Sequence, residues 1–195
     1  MHKFETERLK VRRLEEQDKP FYCSLYTCSE TMKNIAAPFT QTKAEQSFNT
    51  AMKILKKEQP KHLVWVMLNK ESGTPVGIFG LTWPEPKSTK AASPKAEGTK
   101  TASPKTESTR AESTKAEIGI LLTPQSVKKG FAIELIRHFL SRCNCFEGLT
   151  HLQANVSAGN TDSLRLFKKA NFQTIETDKT TESTVIRLEF NILNN

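Results

Sequence analysis

Residues 117–134 read EIGILLTPQSVKKGFAIE, and the reading of the whole chain turns on this run. Glu117 to Leu122 is a short apolar stretch with the character of a strand, and Thr123-Pro124 ends it. From Gly130 to Asn144 the apolar residues Ala132, Ile133, Leu135, Ile136, Phe139, Leu140 and Cys143 recur at helical spacing and give a helix with a wide buried face. A helix start leaves its first backbone N–H groups without partners and carries the positive end of the helix dipole. Gly130 removes a side chain where an anion would approach, Ala132 is small, and Lys128 and Lys129 add charge beside them. Two readings of the loop stand: a cradle for a pyrophosphate, and an ordinary strand-to-helix connection with solvated lysines.

Working outward, 151–156 reads as a strand, 160–170 as a short helix carrying Leu164, Leu166 and Phe167, and 172–177 and 183–190 as two closing strands. Upstream, 8–14 (RLKVRRL) reads as a first strand. Residues 18–29 carry Phe21, Tyr22, Leu25 and Tyr26 at helical spacing. Thr42-Lys43-Ala44-Glu45 has the form of a capping box and opens a helix with Phe48, Met52 and Leu55 on one face. HLVWVMLN (62–69) and VGIFGLTW (76–83) form a hairpin around the turn 71–74. His62 and His151 open strands and read as exposed; His138, beside Phe139, reads as structural or exposed.

Between the third and fourth of these strands lies a repeat. A basic residue recurs every five positions at Lys90, Lys95, Lys100, Lys105, Arg110 and Lys115. No large apolar residue stands between Ser88 and Glu117, and Pro94 and Pro104 disfavour helix and strand alike. Residues 86–115 are therefore expected to be a disordered, low-complexity pentapeptide-repeat insertion. Lengthening a surface loop costs little; an electrostatic tether is the functional alternative. The whole, 1–195, is expected to be a single domain.

The chain has 195 residues, enough for one full core, and its 36% hydrophobic and 26% charged content is that of a globular protein. The net charge is +8, but outside 86–115 stand 22 basic and 18 acidic residues, so nucleic acid is not an expected partner. No apolar run approaches the ~20 residues that span a bilayer, so no membrane partner is expected. The start shows no signal-peptide pattern, and a cytoplasmic location follows as the default. Cys23, Cys28, Cys143 and Cys145 read as free thiols, and no metal-ligand spacing is present.

Several strings together resemble the GNAT superfamily of acyl-CoA N-acyltransferases, and most closely its branch of ribosomal-protein alanine N-acetyltransferases. These are Thr6-Glu7-Arg8-Leu9 followed by Arg12-Arg13-Leu14; 116–124 (AEIGILLTP); Lys129-Gly130-Phe131-Ala132 with Glu134; and 160–172 (NTDSLRLFKKANF). The resemblance implies an α/β (α+β) fold with a mixed, mostly antiparallel central sheet of about seven strands and about four helices. It implies acetyl-CoA as co-substrate, no metal, and direct attack of an amine on the thioester.

Position by position, the resemblance implies that the backbone of Ile120, Leu121 and Leu122 pairs with the pantetheine arm. Val127, Lys128, Lys129, Gly130, Phe131 and Ala132 would hold the pyrophosphate, with Asn160, Ser163 and Phe167 along the cofactor. Ser163 would protonate the leaving thiolate and Glu117 would be the base. Each of these two has a plain counterpart, a helix-start serine serving local backbone and a solvated carboxylate at a strand edge. The family's loop carries a glycine where this chain has Lys128, and a glycine before Phe172 where this chain has Asn171, a residue that tolerates the left-handed conformation of a helix end. The implied acceptor is a primary amine, on a peptide or protein N-terminus or on a small molecule such as a polyamine, amino sugar or antibiotic. A degenerate, CoA-binding non-enzyme is the alternative from another class.

Overall fold

Apolar runs bounded by turns assemble into the sheet on which the rest of the chain packs. The computed structural model describes residues 3–84, 114–179 and 184–194. Its strands are β1 (Lys3–Glu5), β2 (Leu9–Arg13), β3 (His62–Asn69), β4 (Pro75–Thr82), β5 (Lys115–Leu122), β6 (His151–Ser157), β7 (Gln173–Lys179) and β8 (Thr184–Asn191). They form one eight-stranded sheet in the order β1-β2-β3-β4-β5-β6-β8-β7. All neighbours are antiparallel except β5 and β6. The helices are α1 (Lys19–Thr27), α2 (Ser29–Met32), α3 (Gln41–Leu55), α4 (Phe131–Leu140) and α5 (Thr161–Lys169).

The mixed, mostly antiparallel sheet is the expected one, with differences at its margins. β1 is an eighth strand, paired to β2 through Phe4–Val11. The helix expected over 18–29 breaks at Cys28, whose backbone is extended, and restarts as α2. The capping box at Thr42 does not form. α3 starts earlier, with Thr40 as N-cap accepting the Lys43 N–H at 3.2 Å. α4 ends at Leu140 rather than Asn144, and a 3-10 turn at Cys143–Cys145 follows. The insertion expected over 86–115 lies outside the described residues apart from its last two, and of these Lys115 opens β5.

Both sheet faces are covered, so β3 is apolar almost throughout instead of alternating. Val64 and Val66 face Tyr22, Leu25, Phe48 and Met52 of α1 and α3, together with Ile78 and Leu121. Leu63, Trp65 and Met67 belong to the other core, with Phe79, Ile118, Leu152 and, from α4 and α5, Phe131, Leu135, Ile136, Phe139 and Phe167. Leu135, Ile136 and Phe139 are fully buried. Each contributes about 1.5–3 kcal/mol, so the position of α4 is set by its packing. The loop before α4 must meet a helix that is already fixed.

Among the described residues, no helix is long and apolar enough to cross a membrane, no His/Cys/Asp/Glu group is arranged to hold a metal, and all four cysteines are free.

Candidate functional site

The parallel pair is short. β5 and β6 pair only through Lys115–His151, Ala116–Leu152 and Glu117–Gln153. Beyond Glu117, β5 stays on β4 as far as Leu122–Gly77, while β6 stays on β8 as far as Ser157–Val185. The two strands part, and a slot opens between 118–122 and 154–157, with one backbone edge of each strand left without a strand partner. An extended chain bearing amides can pair along such an edge as an added strand does. Because β5 and β6 are parallel, the segment leading to α4 and the segment leading to α5 leave from the same end of the slot.

Gly77 sets how closely β4 and β5 approach. A Cβ there would stand 2.4 Å from the Leu121 carbonyl oxygen and 2.7 Å from Met67 Cε. Ile120 and Leu122 are half-buried against the α4 side, and Leu121 is buried on the α1/α3 side.

At the mouth of the slot the chain runs through a 3-10 turn at Pro124–Ser126, tied by the Thr123 and Ser126 hydroxyls at 2.7 Å. Val127 is extended and 46% exposed. Lys128 is left-handed at φ 59°, and Gly130, the N-cap of α4, is left-handed at φ 81°. Among the described residues, nothing accepts a hydrogen bond from any backbone N–H between Val127 and Ile133; the first helical bond runs from the Glu134 N–H to the Gly130 oxygen at 3.1 Å. Consecutive free N–H groups in a loop with left-handed residues, at a helix start, form an anion-binding concavity.

The back of this loop is braced by residues from the β1–β2 corner. Arg8 Nη1 donates to the Lys129 carbonyl at 2.9 Å, and Arg8 Nε meets Glu134 Oε2 at 2.7 Å. The Arg8 backbone N–H donates to Glu134 Oε1 at 2.8 Å, and the Thr6 hydroxyl donates to the same oxygen. The Arg8 guanidinium lies 4.8 Å from the centre of the buried Phe131 ring. Burial pushes the Glu134 carboxyl up, but the hydrogen bonds from Thr6 and Arg8 outweigh it and hold the group below the usual carboxylate range. These contacts span more than 120 residues of sequence. No role for Thr6, Arg8 or Glu134 was readable from spacing; the only signal was that each stands in one of the family-like strings.

Two cavities flank the loop. One of about 340 Å³ lies between it and the β3–β4 turn, and one of about 510 Å³ between it and Glu7, Arg8 and Lys70. Neither is lined by Glu117 or Ser163.

At the closed end of the slot, Glu117 is exposed and stands in register between Thr82 of β4 and Gln153 of β6. Thr82 in turn pairs with His62 of β3, and the His62 Nδ1 to Thr82 Oγ1 distance is 2.7 Å. His62 was expected to be exposed. It is half-buried, and burial lowers its pKa so that the neutral ring is favoured. His151, also expected exposed, is half-buried beside Thr150. Of the two readings of His138, structural or exposed, the first fits: it is half-buried and its ring stacks on Phe4 at 5.4 Å.

Across the slot, Asn160 caps α5, its Oδ1 accepting the Ser163 N–H at 3.1 Å. That bond leaves the Asn160 amide NH₂ for other partners. The Ser163 hydroxyl is half-buried and has no hydrogen bond to a described residue. Ala132 is half-buried in the first turn of α4. Phe167 is buried in the core, ring to ring with Phe172 at 5.1 Å, and so stands behind the slot surface. Asn171 takes the left-handed conformation at φ 64° that its place after the helix demands. The fold thus brings 120–122, the loop 127–132 and the start of α5 to one slot, with Glu117 at its closed end.

A family model described as "Acetyltransferase (GNAT) domain" matches residues 8–173. No curated protein matches the chain in sequence. Among solved structures, a GNAT-family acetyltransferase from Bacillus anthracis is 18% identical with a TM-score of 0.70, covering 98% of this chain and 99% of that one. Spermidine N-acetyltransferase from Vibrio cholerae, in complex with CoA and spermine, is 16% identical with a TM-score of 0.70 over 95% and 96% of the two chains. An aminoglycoside acetyltransferase in complex with coenzyme A and kanamycin is 16% identical with a TM-score of 0.66 over 94% of each. At these identities the likeness is one of fold.

Proposed function

This chain belongs to the GNAT acetyltransferase family, and from that membership we propose that it moves the acetyl group of acetyl-CoA to a primary amine through the slot between β5 and β6. The observation that carries the proposal is the run of N–H groups from Val127 to Ile133, at the mouth of that slot, that no described residue accepts from. It matches the needs of a pyrophosphate, and the unpaired edge of β5 matches those of a pantetheine arm. The reactive end of such a cofactor would lie toward the closed end, near Glu117.

In the reaction the neutral amine attacks the thioester carbonyl, a C–N bond forms and the C–S bond breaks. The nitrogen gives its proton to the Glu117 carboxylate, and the departing thiolate takes one from the Ser163 hydroxyl, which recovers a proton from solvent. The exposure of Glu117 and the Ser163 hydroxyl, which no described residue bonds, support these roles. Alignment of the amine and thioester would supply much of the acceleration.

For the acceptor, the family-like strings support the branch that acetylates the α-amino group of a peptide or protein. The second reading, a small polyamine or aminoglycoside, is supported by the neighbours solved with spermine and kanamycin. Thiol release from acetyl-CoA with a panel of peptides, polyamines and aminoglycosides separates these readings. Release with none of them, despite CoA binding, would favour a binding protein. Four free cysteines support a cytoplasmic location. Residues 86–115 are proposed to be an insertion in a single domain; deletion of 88–112, which spares Thr114 and Lys115, is expected to leave folding and acetyl-CoA binding intact.

A further inference from the structure

We propose that Arg8 is a positioning residue for the cofactor: it orients the Lys129–Gly130 peptide so that the Gly130 N–H faces the pyrophosphate. The inference rests on the acetyl-CoA reading of the loop and adds to it a residue from the far end of the chain. In a trans peptide the carbonyl oxygen and the following N–H point in opposite directions. Arg8 Nη1 holds the Lys129 oxygen at 2.9 Å, so the Gly130 N–H is directed away from Arg8.

Without that grip the loop has little to keep this peptide from turning over. Glycine populates both signs of φ, and the left-handed Lys128 beside it is an uphill conformation. A turned peptide would present the Lys129 carbonyl to the phosphate, a group of the wrong sign. Arg8 is itself fixed from several sides, by Nε on Glu134 at 2.7 Å, by its backbone N–H on the same carboxylate at 2.8 Å, and by the face of Phe131. Glu134 sits one turn inside α4, so the brace moves with the helix that presents the free N–H groups. Gly130 acquires a second reason to be glycine, since a Cβ there would stand 3.1 Å from Arg8 Nη2.

The Arg8 charge is matched by Glu134, so its contribution is direction and not attraction. This separates it from a cation that binds phosphate directly, and the two roles predict opposite outcomes for one variant. Arg8→Met keeps the unbranched stem as far as the place of Nε and removes the guanidinium with its donors. Glu134→Gln weakens the anchor and frees the guanidinium.

The test uses the full chain and two probes, acetyl-CoA by calorimetry and S-acetylpantetheine, which lacks the pyrophosphate, by NMR titration. The melting temperature of each variant checks folding, and Arg8→Lys, which can still donate to one oxygen, replaces Arg8→Met if that variant is unfolded. Arg8→Met is expected to raise the Kd of acetyl-CoA about tenfold, near 1.4 kcal/mol, and to leave that of S-acetylpantetheine within twofold; Arg8→Lys is expected to fall between wild type and Arg8→Met. Glu134→Gln is expected to weaken acetyl-CoA binding as well. Equal losses for both probes, no loss for acetyl-CoA, or tighter binding by Glu134→Gln would each overturn the role given to Arg8. A wild-type protein that binds acetyl-CoA no better than S-acetylpantetheine would instead overturn the phosphate-loop reading beneath it.

Discussion

Lys128 offers the sharpest test of the loop geometry. Its φ of 59° is left-handed, its side chain is exposed, and no described residue bonds to it. For a non-glycine residue this backbone costs roughly 1–2 kcal/mol. Glycine removes that cost but brings back about 0.4–1 kcal/mol of unfolded-chain entropy. Lys128→Gly is therefore expected to stabilise the protein by roughly 0.5–1 kcal/mol, while Lys128→Ala keeps the strain and changes stability little. For a domain of this size the glycine variant should melt about 2–3 °C above the alanine one.

Both variants lose the same charge, so their difference isolates the backbone, and urea unfolding without ligand measures it. Their loss of acetyl-CoA affinity relative to wild type reports the charge, which at an exposed site is worth about 0–1 kcal/mol. An alanine variant as stable as the glycine variant would refute the left-handed assignment and with it the cradle built on it.

Other outcomes follow from the same geometry. Gly77→Ala drives a Cβ into the Leu121 carbonyl and should cost on the order of 2–3 kcal/mol by urea midpoint, weakening cofactor binding through displacement of β5. Ser163→Ala should lower turnover at least tenfold while the acetyl-CoA Kd stays within twofold; an unchanged rate removes the hydroxyl from proton transfer. The Glu134 carboxyl is held below its ordinary 4.5 in the folded state, so its contribution to stability is present above that pH and lost as pH falls through the lowered folded value. Glu134→Gln should flatten that acid limb in a pH series of melting temperatures.

The centre of the fold was legible because its signals are local. The run from Glu117 to Glu134 changes from a strand run to a helical period around one proline and one glycine, and the structure breaks there too. β1 was not legible, because a three-residue strand with one buried side chain, Phe4, has no period to read. The start of α3 was misread by two residues because Thr42 heads the capping-box string T-K-A-E and Thr40, followed by Lys43, does not; the cap forms at Thr40, next to Phe39, which packs on Tyr26. His62 was misjudged because a strand's first residue is often exposed, whereas here the neighbouring strand supplies Thr82 to bond it. The Arg8–Glu134 brace was out of reach for a different reason: no periodicity encodes a contact between two distant stretches of chain. The candidate site shows the same division. Its loop and helix start are local features, while the slot itself exists only because β5 and β6, distant in sequence, pair for three residues and then part.

If the N–H groups of 127–133 and the open edge of β5 bind acetyl-CoA, the ligand must stabilise the folded chain. Thermal unfolding with and without acetyl-CoA measures that stabilisation. At about 100 times its Kd the ligand should stabilise the protein by about 2.7 kcal/mol, and CoA should do nearly as well. An unfolding curve unmoved by acetyl-CoA at millimolar concentration would show that the loop and the β5 edge do not bind it.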